Sequence, residues 1–112
     1  GVATLDAYAE EGTFERAAEL AGPLEELVHA FAEHDKVIDV RNLGLIAAIE
    51  MAPRDGAPGA RGLEVHKKCF WEVDLMVRNG MDTIQISPFL NSNLADWEQA
   101  FEKIRRVMDS ID

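Results

Sequence analysis

The sequence predicts an α+β fold, a small antiparallel sheet with helices packed on it, and three observations point there. Apolar residues recur at helical spacing towards both ends of the chain. Two pairs of short, β-rich runs lie between them, each pair joined by a tight turn. A glycine- and proline-rich loop with a further helical pattern separates the pairs. The predicted order is therefore helix, helix, two strands, helix, two strands, helix.

Val2, Leu5 and Tyr8 already sit at helical spacing with no capping residue before them, so the chain is expected to begin in mid-helix, as a piece of a longer protein. Gly12 supplies a helix stop and Thr13 an N-cap for a second helix. That helix carries Phe14, Ala17, Ala18, Ala21, Leu24, Val28 and Phe31 on one stripe and is predicted to end near His34-Asp35. Pro23 removes a backbone donor and is expected to kink or restart it. Val37 to Asn42 alternates, with Ile38 and Val40 on one face and Asp39 and Arg41 on the other, as a half-buried strand does. Gly44 can take positive φ in a turn after Leu43, and the nearly continuous apolar run Leu45 to Met51 reads as an interior strand.

Ala52 to Gly62 holds Pro53, Gly56, Pro58, Gly59 and Gly62 and reads as an exposed, flexible connection. Helix resumes at about Leu63 and is predicted to bury Leu63, the stem of His66 or Lys67, Phe70 and Val73. The apolar strand Leu75-Met76-Val77-Arg78 follows, then the turn Asn79-Gly80-Met81-Asp82, then a returning strand from Thr83 to Ser87-Pro88. Finally Leu94, Trp97, Phe101, Ile104, Met108 and Ile111 give the strongest helical period in the chain, with Ser92 or Asn93 as its cap.

Composition narrows the function. A chain of 112 residues with 47% hydrophobic content suits one compact domain. Its 21 acidic against 11 basic residues leave a net charge of -10, and no Lys/Arg cluster exceeds Lys67-Lys68 or Arg105-Arg106. Nucleic acid and anionic membrane are unsuited partners for such a surface. No apolar run reaches the ~20 residues that span a bilayer. The lone Cys69 excludes an internal disulfide and suits a reducing compartment, so the chain is expected to be cytoplasmic.

Few residues carry obvious chemistry. His29 and His34 stand five apart, off the spacing of a helical zinc pair, and His66 has no ligand at matching spacing, so no metal site is expected. All three histidines read as surface or helix-terminus residues. Cys69 follows His66 by three residues but has no third orienting group, and reads as a small buried hydrophobe. Trp71 and Trp97 read as core or interface anchors. Arg41 is expected to pair with Asp39, and is a candidate partner for Glu50. Arg78 admits two readings: a solvated strand-end charge, or a rigidly mounted guanidinium that meets a carboxylate with two parallel hydrogen bonds.

The run Val37 to Met51, with Ala52-Pro53-Arg54, Gly56 to Arg61, Leu75 to Arg78 and Asp82 to Pro88, resembles the C-terminal part of class III pyridoxal-phosphate aminotransferases. The nearest kin are the omega-amino acid:pyruvate (beta-alanine:pyruvate) transaminases. The resemblance implies the C-terminal small domain of a fold-type I enzyme over residues 13–112, with residues 1–12 the end of a helix leading from a large domain. It implies that Arg78 binds the carboxylate of an amino or keto acid and swings away for substrates without one. Pyridoxal phosphate, the Schiff-base lysine and a homodimer belong by the same resemblance to the full-length enzyme. Lys36, Lys67, Lys68 and Lys103 fall outside any matching motif, so this chain on its own is expected to hold no cofactor, supply no catalytic residue and be inactive. It departs from the family's usual pattern at Ala48, Asp74 and Phe89. The competing expectation is a free-standing α+β binding or dimerisation module, using apolar surface around Trp71 or Trp97.

Overall fold

A computed structural model describes residues 1–112. Helix α1 (Val2–Glu11) stops at Gly12, which adopts the left-handed conformation at φ 59°. Helix α2 (Thr13–His29) begins on that same glycine, so Thr13 is its first residue and not its cap. Pro23 lies inside α2 without interrupting it. Its ring normally clashes with the Cβ of the preceding residue, and Gly22 has none. A 3-10 turn (Ala30–Glu33) ends the segment just before His34, close to the predicted stop.

Strands β1 (Val37–Leu43), β2 (Ile46–Met51), β3 (Arg78–Gly80) and β4 (Thr83–Ile86) form one antiparallel sheet in the order β1-β2-β4-β3. The predicted α+β class and the interior place of β2 both hold. Gly44 has φ 57° at the head of the β1-β2 turn, a conformation open to glycine without a steric penalty. The predicted alternation in β1 fails at one point. The register passes from Val37↔Met51 to Asp39↔Glu50, so Ile38 is the extra residue of a bulge and is 60% exposed. Val37 and Val40 instead pack against the core.

Helix α3 (Ala60–Val73) starts about a turn earlier than predicted and turns a different face inward. Gly62, Val65 and Cys69 are buried, whereas Leu63 and Phe70 stay outside the core and keep over two-fifths of their surface in solvent, at 44% and 42%. Its end is a second departure: Asp74 takes the left-handed conformation at φ 54°, and both its own N–H and that of Leu75 reach back to the Cys69 carbonyl, the latter at 2.8 Å. Helix α4 (Leu94–Asp109) is capped by Asn93, whose side chain accepts from the Asp96 N–H at 2.9 Å. Its predicted stripe is the one it buries, from Trp97 to Met108.

The core lies on one face of the sheet. Ala47, Ile49 and Met51 from β2 and Ile84 from β4 meet Leu24, Val28 and Phe31 of the α2 segment, with Val65, Cys69, Phe101, Ile104 and Met108. Burial of these side chains is the main stabilising term, at roughly 1.5–3 kcal/mol each for the larger ones. Helix α1 buries no residue and meets the body through Tyr8, whose ring lies 5.0 Å from that of Phe14.

The Ala52–Gly59 connection is pinned, contrary to its expected flexibility. Arg54 pairs with Glu64 at 2.6 Å, and Arg61 donates to the Ala52 carbonyl. At the far side, the buried Asp82 carboxylate accepts from the backbone N–H of Gly59 at 2.7 Å and of Gly62 at 3.0 Å. It thereby caps α3 from a distant hairpin, satisfying donors that the helix itself leaves open. Gly62 makes that approach possible, because a Cβ there would stand 2.0 Å from the Met81 carbonyl oxygen.

Two substitutions test these placements. Gly62→Ala is expected to cost roughly 3 kcal/mol or more of unfolding free energy in urea titration, since backbone on both sides must move. Asp74→Gly is expected to add roughly 0.5–1 kcal/mol, because glycine enters the left-handed region freely; a loss of stability would refute that account.

Candidate functional site

The second face of the sheet is open. Side chains paired directly across antiparallel strands share a face, and the register aligns Arg41, Ala48, Gln85 and Arg78 in one row. These four residues line a concavity of about 960 Å³ with His66, Met76 and others. Its apolar rim is well exposed, with Leu43 at 81% and Met76 at 79%. A surface that mixes exposed apolar side chains with a few polar groups is built for contact with something else.

The two arginines stand at opposite edges of the sheet, roughly 14 Å apart by three interstrand spacings. Their electrostatic states differ. Arg41 donates to Glu50 at 2.8 Å and to Asp39 at 2.5 Å, as predicted from their spacing. Hydrogen bonds to Glu50 first, and to Asp39 second, hold its pKa above the ordinary arginine value. Arg78 is exposed and has no ion-pair partner in the chain. One cation of the row is therefore neutralised by its neighbours and the other is free for an incoming anion.

The mount of Arg78 differs from the predicted one. Leu75 to Val77 form no sheet pairs, and β3 begins at Arg78 instead of ending there. Arg78 still sits at a strand end, on an edge strand, opposite Gln85. The turn is also shorter than predicted: Asn79 and Gly80 pair with β4, leaving Met81, at φ 54°, and Asp82 as the connection.

Two histidines do more than their spacing suggested. His34 is almost fully covered and donates from Nε2 to Asp109 Oδ1 at 2.7 Å, joining the α2 segment to α4. His66 is half-buried and donates from Nδ1 to the Val77 carbonyl at 2.7 Å. Neither contact has a local signal, because their partners lie far along the chain. His29 stays at the exposed end of α2, 2.9 Å from Asn42 Oδ1. Trp97 is a core anchor at 5% exposure, while Trp71 is 79% exposed on α3. No group of histidine, cysteine and acidic side chains is arranged to hold a metal ion.

The concavity contains no lysine. Lys36 lies by Asp35 and Lys68 by Glu72, both on other surfaces. The cationic side chains of the lining are those of Arg41 and Arg78, together with the imidazole of His66.

Comparison with known proteins sets this geometry in a family. The chain is 45% identical over 112 residues to an omega-aminotransferase of Caulobacter vibrioides, covering all of this chain and 25% of that protein. It is 36% identical over 111 residues to a beta-alanine–pyruvate aminotransferase of Pseudomonas aeruginosa, again covering 25% of the relative. Over essentially its whole length the chain is similar to omega-aminotransferases. It spans about a quarter of the length of these relatives. An omega transaminase of Pseudomonas jessenii, solved in complex with PMP, superposes with a TM-score of 0.86 and 27% identity over 95% of this chain and 24% of that one. No family model matches the chain.

The buried thiol gives a measurement on this chain itself. Burial pushes the Cys69 pKa up to about 11. The folded state therefore keeps the proton where the unfolded state loses it. Stability is expected to be unaffected below about pH 8.5 on this account and to fall as pH rises towards 11. A Cys69→Ala variant should lose that part of the alkaline slope in denaturant titrations at pH 8 and pH 10.5.

Proposed function

We propose that this chain is the C-terminal small domain of an omega-amino acid:pyruvate aminotransferase. In this reading residues 1–12 lead from a large domain and residues 13–112 form the small one. The full protein transfers an amino group between an amine or omega-amino acid and pyruvate, as a cytoplasmic homodimer. Pyridoxal phosphate would be held by the large domain, with its Schiff-base lysine, and this chain alone would be inactive. Two features support a large-domain partner: the open face of the sheet, and α1, whose Val2 and Leu5 are 76% and 64% exposed.

The observation that carries the assignment is the contrast between Arg41 and Arg78. Both lie on the open face, but Arg78 alone lacks a carboxylate partner. A guanidinium so placed donates two parallel hydrogen bonds to the carboxylate of an amino or keto acid. Its long apolar stem lets the cation turn back to water when a substrate without a carboxylate enters.

In the full-length enzyme, Arg78→Ala removes a charged hydrogen-bonded pair worth roughly 1.5–3 kcal/mol. Acid substrates such as pyruvate and beta-alanine are expected to lose about ten- to hundredfold in kcat/KM, and simple amines less than threefold. Equal losses for both classes would remove Arg78 from this role.

A further inference from the structure

His66 has a place in this site that the family assignment does not give it. After Asp74 the chain runs from Leu75 to Val77 without a sheet partner, and β3 begins only at Arg78. The Val77 carbonyl belongs to a residue that is 7% exposed, so it needs a donor from within the protein. His66 supplies it, with Nδ1 at 2.7 Å from that oxygen. A carbonyl can only accept, so Nδ1 carries the proton in this contact.

The consequence for Arg78 is geometric. The Val77 carbonyl and the Arg78 nitrogen share one planar peptide unit. Fixing that oxygen fixes the plane through which the chain enters Arg78; the pairing of Arg78 with Gln85 constrains the remaining φ, and the two together set the direction of the Cα–Cβ bond. Gly62, whose N–H holds Asp82 at 3.0 Å, lies one helical turn before His66. Helix α3 thus grips the hairpin at two points, Asp82 beyond β3 and Val77 before it, and Arg78 is held between them.

We propose that His66 is a positioning residue for carboxylate recognition: through the Val77 carbonyl it sets the direction from which Arg78 reaches the acid. The inference rests on Arg78 being the carboxylate anchor. His66 also lines the concavity, yet its role here needs only the Nδ1–H donor, which is present in both the neutral form of that tautomer and the imidazolium.

The test uses the full-length enzyme, with pyruvate as acid acceptor and a carboxylate-free amine as donor. His66→Leu removes the donor and is expected to raise the KM for pyruvate about tenfold, since small misplacements of a positioned group cost up to about hundredfold. The kcat at saturating pyruvate and the KM for the amine should stay within about twofold of the parent. His66→Asn, whose amide nitrogen can stand in for Nδ1, should restore the KM for pyruvate to within about threefold of the parent. A general loss of folding would not split the two KM values. Equal effects on both substrates, no effect on pyruvate, or an asparagine variant no better than leucine would overturn the inference. Arg78→Ala run alongside separates the two claims. If it weakens acids selectively while His66→Leu does not, only the role of His66 falls; if it is unselective, both fall.

Discussion

The carboxylate of Asp82 ties together parts of the chain that would otherwise have no reason to meet. Its two oxygens take the N–H groups of Gly59 and Gly62, and its own carbonyl accepts from the Met51 N–H at 3.0 Å. One residue of a tight turn thus caps α3, closes the β3-β4 hairpin and attaches both to the interior strand. The interaction is strong for a physical reason. A carboxylate meets the positive end of a helix in a buried setting, where charge-assisted hydrogen bonds gain most. It demands a close approach of backbones, and Gly62 is the residue that permits it. Without this contact the first turn of α3 would lose its cap, and the hairpin that carries Arg78 would keep only the His66 bond to the Val77 carbonyl as its polar tie to that helix.

That anchoring explains how one sheet supports two unlike faces. The inner face is sealed by α2, α3 and α4 around Ile49 and Ile84, both fully buried. The outer face carries a charged row whose members are not equivalent. Arg41 is consumed by structure: two carboxylates flank it, and the set adds no free charge of its own sign. Arg78 sits on the opposite edge with nothing to neutralise it. Were a covering domain to lower the dielectric over this face, the attraction of Arg78 for an anion would grow several-fold, while the Arg41 set would remain internally satisfied.

Local chemistry was legible in the sequence, and distant contacts were not. The α4 period, the Gly44 turn, the interior character of β2 and the pairing of Arg41 with Asp39 and Glu50 all follow from residues close together in the chain or facing across one tight hairpin. The bulge at Ile38 escapes because an inserted residue leaves a strand of ordinary composition, and the alternation merely changes phase. Gly62 reads as a loop residue because glycine disfavours helix; its presence inside α3 is dictated by the backbone of Met81 and Asp82, the latter twenty residues away in sequence. Asp82 and His66 are missed for the same reason, since each acts on a partner more than ten residues distant. Arg78 was picked out by position, but as the last residue of a strand. The segment before it is extended without pairing, and extended apolar residues look alike whether or not a neighbour strand exists.

The segment from Asp74 to Asp82 concentrates the backbone's unusual conformations. Asp74 and Met81 are the non-glycine residues with positive φ, one at the exit of α3 and the other in the β3-β4 turn. Each is disfavoured for an L-residue, by an amount of order 1–2 kcal/mol that aspartate partly escapes. Such conformations persist only where surrounding contacts fix them, and both are adjacent to such contacts: the Leu75 to Cys69 bond on one side, the Asp82 carboxylate on the other. Between them the backbone at Arg78 is held while its side chain is unpaired. Capturing a carboxylate then requires ordering only the side-chain rotamers, at most about 2 kcal/mol of entropy, with no further cost in backbone freedom. A fixed base and a free arm are the combination that the proposed role of Arg78 requires, since it would let one arginine bind an acid tightly yet withdraw from a neutral group.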